Sequence, residues 1–184
     1  PIGRMIAQAH DFATLRPDEI QLNIDREIRV VASDYAIRTC LNSATRQLQE
    51  GFPSVRLEIL PLSERSPRLL ENGEVDLILS GQSFDIGVPP STCLLEDQYV
   101  CIACSKMGPP GEKLLPQEFA RSEHVVVRYF DEQMTFEDED ALRKAGVVRT
   151  RRITTWSHAH VASLVCGTAM LATIPARIAH DLAK

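Results

Sequence analysis

The sequence predicts an α/β fold built from strand–helix–strand units, and three observations predict it. First, Glu27–Glu58 has the pattern of a strand, an amphipathic helix and a second strand. Second, short apolar runs such as Val75–Leu79 and His124–Tyr129 alternate with helical stretches, as is typical of buried strands in a largely parallel sheet. Third, the segment Met107–Lys113 breaks this pattern with glycine and proline, which predicts a domain boundary near it.

The opening unit is the best defined part of the pattern. A β-branched run predicts its first strand, and either Ser33 or Asp34 is expected to cap the helix that follows. Gly51 is predicted to end that helix in the left-handed conformation, and Pro53 prevents it from resuming. The apolar stripe of the helix consists of Ile37, Cys40, Leu41, Ala44 and Leu48. A strand–helix–strand unit of this kind normally makes a parallel crossover, so its two strands should be parallel.

The remaining elements follow from similar signals. The amphipathic residues 1–16 predict a helix that packs on the body of the protein or on a second subunit, because such a helix is marginal alone. Residues 17–26 are expected to connect it to the sheet. Further predicted elements are strands at Thr92–Ser105, Val147–Thr155 and Met170–Ile174, a helix at Glu137–Ala145 and a last helix opened by Pro175.

Composition excludes several classes of function. The net charge of −5, with no Lys- or Arg-rich block, argues against nucleic-acid binding by this chain itself. The apolar runs are too short to span a bilayer, and the N-terminus lacks the apolar region of a secretory signal. Five cysteines, an odd number, indicate reduced thiols and a cytoplasmic protein. The chain starts without Met and is expected to be a fragment.

No motif predicts catalysis, a metal or a cofactor. Cys101 and Cys104 have the CxxC spacing, but they fall in a strand-like run and no second pair completes a zinc site, which favours structural thiols. His158 and His160 form an HxH pair without a third ligand at a recognisable spacing, which favours polar residues near a helix start. Glu137–Asp140 lacks the ligand spacing of a calcium loop.

Polar side chains at the predicted strand ends are the best candidates for a site. Because the carboxyl ends of strands are where open α/β sheets bind small ligands, residues such as Ser33, Ser80 and Ser157 could meet a small polar molecule there. Tyr129 and Trp156 could supply aromatic walls. Each residue alone could equally be a cap or turn residue, but together they favour a cleft between two sub-domains.

Several separated segments, in order, resemble the effector-binding domain of LysR-type transcriptional regulators. They are EIRVVASDY, GFPSVRLEILPL, LLENGEVDLILSG and LLEDQYVCIACSK in the first half, and EHVVV and LRKAGVVRTRRITTWSHAHVASLVCGTAMLATIPARIA in the second. The resemblance covers roughly residues 27–183. It is nearest the branch that contains regulators of nodulation and of nitroaromatic degradation.

The resemblance implies two Rossmann-like sub-domains of the type II periplasmic-binding-protein kind, preceded by a linker helix. The division would be a linker helix and connector at 1–26, sub-domain I at 27–105, sub-domain II at 106–173, and a return into sub-domain I at 174–184. An effector would bind in the cleft between the sub-domains. By position, the effector would be lined by Ser33, Asp34, Ser80, Gln82, Arg128, Trp156, Ser157 and Thr173.

The resemblance also implies partners. The family forms homodimers or tetramers, with Tyr35–Leu60 of one subunit packing against Ser157–Cys166 of another. From the resemblance we expect this sequence to lack the family's N-terminal winged helix-turn-helix and its final strands and helix, so DNA binding would require the missing N-terminal domain and the first sub-domain would be short.

The resulting function is the sensing of a small effector, aromatic or carboxylated, that controls transcription. Arg128 offers a fixed positive fork for a carboxylate and Trp156 an apolar face. An alternative is a periplasmic-type solute-binding protein for transport, although a missing export signal and free thiols count against it. A thiol enzyme, the third possibility, would require a reactive Cys101 or Cys104.

Overall fold

A computed structural model describes residues 26–81, 91–107, 113–129 and 137–182. Its first sheet has three parallel strands. Strand β1 (Glu27–Ala32) lies in the centre, with β2 (Arg56–Pro61) on one side and β3 (Leu77–Leu79) on the other. The parallel pairing of β1 and β2 is the arrangement that the opening unit predicts. The linker helix expected at 1–16 lies outside the described residues.

The helical connection α1 runs from the end of β1 towards β2 in three segments. A short α-helical segment, Asp34–Ala36, is followed by a π-helical segment, Ile37–Leu41, and by a longer α-helical segment, Asn42–Gly51. Of the predicted apolar stripe, Leu41 is buried, whereas Ala44 is exposed and no residue of Asn42–Gly51 is buried. The stripe therefore packs on the first sheet only near its start. A second helix, α2 (Ser66–Glu71), precedes β3.

The second sheet has four strands in the order β4-β7-β5-β6. Their bounds are Tyr99–Ala103 for β4, Glu123–Val127 for β5, Thr150–Thr155 for β6 and Leu171–Pro175 for β7. Strand β4 is antiparallel to β7, while β5 is parallel to both β6 and β7. The helices of this half are α3 (Pro116–Arg121), α4 (Glu137–Lys144), α5 (a 3₁₀ turn, His158–His160, continued by Val161–Val165) and α6 (Ala176–Leu182).

Each sheet has an apolar cluster of its own. Val30, Ala32, Ala36 and Leu41 form the smaller cluster, where β1 meets the start of α1. The larger cluster packs β5 and β7 against α5 and α6, and it contains Val125, Val127, Val161, Val165, Ala172, Ile174 and Ile178. This division into two packed sheets with helices confirms the predicted α/β fold of two sub-domains.

Contacts at α1 hold the two halves together on the side of α6. The Tyr35 hydroxyl donates a hydrogen bond to Asp97 at 2.7 Å, and Asp97 also accepts from the backbone N–H of Arg177 at 3.3 Å. One helical turn along, the guanidinium of Arg38 pairs with Asp181 at 3.0 Å. The start of α1 is therefore tied to the segment before β4 and to α6.

A buried ion pair fixes α4 to the start of β6. The Arg149 side chain is only 3 % exposed, and its Nη1 lies 2.7 Å from Oδ2 of Asp138. A second carboxylate, that of Glu139, lies 3.2 Å from Arg149 Nη2. Arginine satisfies two carboxylates at once because its guanidinium is a planar fork of donors, which allows this charge to be buried.

The structure corrects several local predictions. Gly51 does not have a positive φ, and the residue that caps the end of α1 is Phe52 instead. Gly73 and Gly146, in contrast, follow the ends of their helices with φ of 71° and 70°. Strand β3 is not buried on both faces, because Leu77 is 53 % exposed. Among the described residues it also lies at an edge of its sheet.

The pairing of β4 decides to which sheet it belongs. Residues Tyr99–Ala103 pair along their whole length with Leu171–Pro175, so they belong to the second sheet although the predicted sub-domain I extends to residue 105. The register places all of β7 in the second sheet as well, through Pro175. Among the described residues, β4 is therefore the first strand of the second sheet in chain order.

Candidate functional site

The first side of the candidate site is the junction of β1 and α1. Ser33, which is buried, follows the central strand, and its Oγ accepts a hydrogen bond from the backbone N–H of Ala36 at 3.2 Å. This cap directs the next side chain, that of Asp34, outward from the end of the strand. The Asp34 carboxylate is further oriented by the N–H of Tyr35, which donates to Oδ1 at 2.9 Å.

The second side is formed by the ends of β5 and β6. Because these strands are parallel neighbours, their carboxyl ends lie at the same edge of the sheet. Tyr129 follows β5 by two residues, and Ser157 and His158 follow β6 and begin α5. Ser157 and His158 are both buried.

The two sides meet at the Asp34 carboxylate, in an arrangement that we call the carboxylate bridge (Asp34, Tyr129, Ser157, His158 and the backbone of Ala159). Oδ1 of Asp34 accepts a hydrogen bond from the Tyr129 hydroxyl at 2.6 Å. Oδ2 accepts from the Ser157 hydroxyl at 2.6 Å and from the N–H of Ala159 at 3.2 Å. Both O–H donors lie at the short distances typical of hydrogen bonds to an ionised acceptor.

Proton positions within the bridge follow from the number of donors available. The single hydroxyl proton of Tyr129 is used on Asp34, so the 2.5 Å contact between the Tyr129 oxygen and His158 Nδ1 requires the proton on Nδ1. His158 Nδ1 also lies 3.5 Å from Asp34 Oδ1, and the His158 side chain is 6 % exposed. His158 therefore donates a hydrogen bond to the Tyr129 oxygen and lies close to the same carboxylate.

The bridge holds Asp34 in its ionised form. Burial alone would raise the pKa of the Asp34 carboxyl, but hydrogen bonds from His158, Ser157 and Tyr129 outweigh it and leave the pKa well below its usual range. Burial and the neighbouring Asp34 charge raise the pKa of Tyr129, so its phenol stays protonated and remains a donor. The bridge therefore joins one carboxylate to neutral donors and one histidine.

Three of the eight predicted site residues come together in this structure. Ser33 caps the junction, and Asp34 and Ser157 bond directly to each other. Two further members of the bridge were assigned other roles by the sequence pattern. Tyr129 was expected only as an aromatic wall, and His158 only as a polar residue near a helix start. Burial of His158 beside Tyr129 is the feature that the sequence pattern did not signal.

The other predicted site residues lie away from the bridge or outside the described part. Trp156 is 69 % exposed and packs edge-on against His160 at 4.8 Å between ring centroids. Ser80 is exposed just after β3, and Gln82 lies outside the described residues. Thr173, inside β7 and opposite Cys101, has a buried hydroxyl that finds no hydrogen-bond partner among the described residues. Arg128 is half-buried beside Tyr129, and its backbone N–H donates to Thr155 at 2.6 Å.

The cysteines are free and do not pair within the CxxC motif. Cys101 lies within β4; the residue is exposed overall, but desolvation of its thiol raises the pKa to about 11. Cys104 follows the strand, and its Sγ accepts a hydrogen bond from the N–H of Gly167 at 3.3 Å. This and other backbone N–H groups lower the pKa of the Cys104 thiol. Among the residues that the structure describes, no group of three potential metal ligands is found.

A separate depression of about 470 Å³ opens at the other end of the second sheet. It lies near the amino ends of β5 and β7, away from the bridge. Its lining residues are Arg121, Ser122, Glu123, Arg152, Ile153, Thr168, Ala169 and Met170. None of the predicted site residues lines it.

Comparison with known proteins identifies the family. The model of the LysR substrate binding domain matches residues 23–184, which is most of the chain. The chain belongs to the LysR substrate binding domain family. This match confirms the resemblance and agrees with the prediction that the chain is not an enzyme.

Relatives of this LysR domain include nodulation proteins. Nodulation protein D 1 of Sinorhizobium fredii is 29 % identical over 164 residues, covering 87 % of this chain and 49 % of the relative. Nodulation protein D 3 of Mesorhizobium japonicum is 27 % identical over 165 residues, covering 87 % of this chain and 53 % of the relative. The chain thus spans about half the length of these curated relatives.

Solved structures share the fold. The crystal structure of a probable transcriptional regulator from Pseudomonas aeruginosa superposes with a TM-score of 0.79 at 20 % identity, covering 98 % of this chain and 62 % of that one. Within the described residues of this LysR domain, no helix has both the length and the apolar character needed to cross a membrane.

Proposed function

We propose that this LysR domain senses a small-molecule effector at the carboxylate bridge, in the cleft between its two sub-domains. The observation that carries the proposal is the pair of 2.6 Å hydrogen bonds by which Asp34 of the first side meets Tyr129 and Ser157 of the second. A ligand that enters between the two sides must change these contacts. Its affinity then differs between the joined and the separated arrangement, which is what a sensor requires.

The proposed effector is an aromatic or carboxylated molecule. The donors that now meet Asp34 are hydroxyl and backbone N–H groups, which suit a carboxylate or a phenol. Half-buried Arg128, next to Tyr129 in the chain, remains the proposed cationic contact. The full proposed lining is Ser33, Asp34, Ser80, Gln82, Arg128, Trp156, Ser157 and Thr173, to which we add Tyr129 and His158.

The proposal extends to the whole protein of which this domain is a part. It would be a cytoplasmic transcriptional regulator, bound to DNA through an N-terminal winged helix-turn-helix. The proposed division into 1–26, 27–105, 106–173 and 174–184 makes β4, which pairs in the second sheet, the strand that carries the chain out of sub-domain I. The transport alternative is not favoured, because the family match is to a regulator's domain.

We further propose a homodimer or tetramer in which Tyr35–Leu60 of one subunit packs against Ser157–Cys166 of another. The exposed side chains of Asn42–Gly51 and the 39 % exposed Ile59 of β2 support this surface as an interface. Sedimentation equilibrium of the domain and of an Ile59→Arg variant tests it. A dimer that persists unchanged in Ile59→Arg contradicts the proposed interface.

A thermal-shift screen tests the sensing function. The probes are aromatic acids, phenols, flavonoids and aliphatic acids, with Trp156 fluorescence as a second signal because it is the only tryptophan and precedes Ser157. A ligand that binds only the native state raises the unfolding midpoint by mass action.

Matched serine variants locate any ligand found in the screen. Ser163→Ala is the control for Ser157→Ala, because Ser163 lies on α5 and its hydroxyl contacts only the His160 carbonyl among the described hydrogen bonds. We expect the midpoint shift to survive in Ser163→Ala and to fall in Ser157→Ala. Equal shifts in both variants would refute binding at the bridge.

A further inference from the structure

The donors on the second side of the bridge form a compact set. The hydroxyls of Tyr129 and Ser157 and the N–H of Ala159 reach the two oxygens of one carboxylate at 2.6, 2.6 and 3.2 Å. We call this set the donor cradle. All of its members belong to the ends of β5 and β6, and none comes from the sheet that supplies Asp34.

The donor cradle is held together by contacts that do not involve Asp34. The N–H of Ala159 also donates to the Ser157 hydroxyl oxygen at 3.1 Å, and His158 Nδ1 contacts the Tyr129 oxygen at 2.5 Å. Ser157 is 4 % and His158 is 5 % exposed, so these side chains are fixed by their surroundings. The cradle should therefore keep its shape when Asp34 leaves it.

An unoccupied donor cradle would be costly. The Ser157 hydroxyl is buried and the Tyr129 hydroxyl belongs to a partly buried residue, so without an acceptor they lose hydrogen bonds that water would otherwise give them. A carboxylate from any source that reaches these donors can satisfy them. Asp34 does so here from within the same chain, although it belongs to the other half of the domain.

We propose that the donor cradle is a carboxylate-binding site that Asp34 occupies as an internal competitor, and that the carboxylate of an effector takes its place. The proposal rests on the proposed sensing function and names its regulation: the empty domain is held joined by Asp34. An effector carboxylate displaces Asp34, since two carboxylates cannot share these donors without repulsion. Displacement breaks the bridge and frees the two sides to rearrange.

An internal competitor lowers the apparent affinity of the external ligand. Apparent affinity is reduced by the fraction of molecules whose site is open. If Asp34 occupies the cradle in about nine molecules out of ten, removing it improves the apparent Kd of a simple carboxylate about ten-fold. The same ligand without its charge should gain nothing.

Asp34→Ala tests this directly, with benzoate as the probe and benzamide as its uncharged match. Asp140→Ala is the control variant, because Asp140 is a surface carboxylate whose partner, Arg143, lies on the same helix, α4. We expect benzoate to raise the unfolding midpoint of Asp34→Ala at concentrations about ten-fold below those needed for the wild type. Benzamide should not do so, and Asp140→Ala should behave as the wild type. The double variant Asp34→Ala/Ser157→Ala should lose the benzoate effect.

A second variant covers the case in which Asp34→Ala does not fold. Asp34→Asn keeps the shape of the side chain but removes the charge, and one of its two acceptor atoms becomes an NH₂ donor. The asparagine side chain should therefore compete less well for the donor cradle than that of Asp34 does. Asp34→Asn should also gain benzoate affinity, but less than Asp34→Ala.

The outcomes separate the inference from the proposed function. Equal benzoate affinity in the wild type and in both Asp34 variants overturns the internal competitor. If an effector from the screen then still requires Ser157, sensing at the bridge stands without it. If benzoate raises the unfolding midpoint of Asp34→Ala as expected but no class of effector shifts that of the wild type, the donor cradle is supported as a carboxylate site and the sensing function is overturned.

Discussion

Removing one hydroxyl group, with the change Tyr129→Phe, tests whether the carboxylate bridge stabilises the domain. The change keeps the ring and deletes the 2.6 Å hydrogen bond to Oδ1 of Asp34 and the oxygen that faces His158. Since Asp34 is ionised, the lost hydrogen bond is of the stronger, charge-assisted kind.

The magnitude follows from the contacts of each partner. A hydrogen bond to a charged group contributes about 1.5–3 kcal/mol to stability. Asp34 keeps its bonds from Ser157 and Ala159, and His158 Nδ1, 3.5 Å from Asp34 Oδ1, can shift towards the carboxylate, so the penalty for unpaired groups is limited. We expect Tyr129→Phe to lower the free energy of unfolding by about 1.5–3 kcal/mol. For a domain of this size, that corresponds to a fall in Tm of roughly 3–12 °C.

A double-mutant cycle measures the interaction itself. Urea unfolding of the wild type, Tyr129→Phe, Asp34→Ala and the double variant gives the coupling free energy between the two side chains. We expect the penalty of Tyr129→Phe to shrink by about 1 kcal/mol or more when Asp34 is absent. A penalty of the same size with and without Asp34 would refute the reasoning, because the hydroxyl would then stabilise the fold through other contacts.

Three other measurements test parts of the structure. The pKa of Asp34 is lowered in the folded protein, so the stability that its ionised form contributes is fully present above its unfolded pKa of about 3.9. The difference in unfolding free energy between the wild type and Asp34→Asn should therefore shrink as the pH falls below about 4. A difference that stays constant with pH in urea unfolding would contradict this. Arg149→Met leaves the buried Asp138 unpaired and should lower the free energy of unfolding by about 3–5 kcal/mol, and adding Asp138→Asn should recover part of that loss. Calorimetry measures both changes, and a loss below about 1 kcal/mol would show that the pair is not buried. Cys104 has a lowered thiol pKa and Cys101 a raised one, so Cys104 should react faster with iodoacetamide at neutral pH. Peptide mass spectrometry compares the two rates, and the reverse order would contradict the hydrogen bond from Gly167 to Cys104.

The sequence located one end of the bridge because that end depends on local structure. Ser33 and Asp34 follow a β-branched strand and precede an amphipathic helix, so capping and strand polarity suffice to place them. Ser157 could be found in the same way, as the capping residue after β6. In the structure, its Oγ does accept a hydrogen bond from the N–H of Ala159.

The sequence does carry a signal for the exposure of Trp156. Side chains alternate between the two faces of a strand, and this alternation continues past the end of β6. Thr155 and Ser157 are buried, whereas Thr154 and Trp156 between and beside them are exposed. A strict period of two would have put Trp156 on the side opposite Ser157.

Other features depend on partners that are distant in the chain. The antiparallel pairing of β4 with β7 joins segments about seventy residues apart, and no local pattern selects that partner. Burial of His158 similarly follows from the pairing of β5 with β6, which sets it against Tyr129. The π-helical segment Ile37–Leu41 shifts the face of the helix beyond it, which a fixed helical period does not anticipate.

The separation of Asp34 and Ser157 in the chain has a consequence for folding during synthesis. They lie 123 residues apart, so at a synthesis rate of about 5–20 residues per second roughly 6–25 s pass between their additions to the nascent chain. During that interval the end of β1 carries a carboxylate whose full set of donors from the second side does not yet exist. The first sheet must form on the ribosome without the complete bridge, and a chain cut short before Ser157 would keep Asp34 without the donors of Ser157 and Ala159.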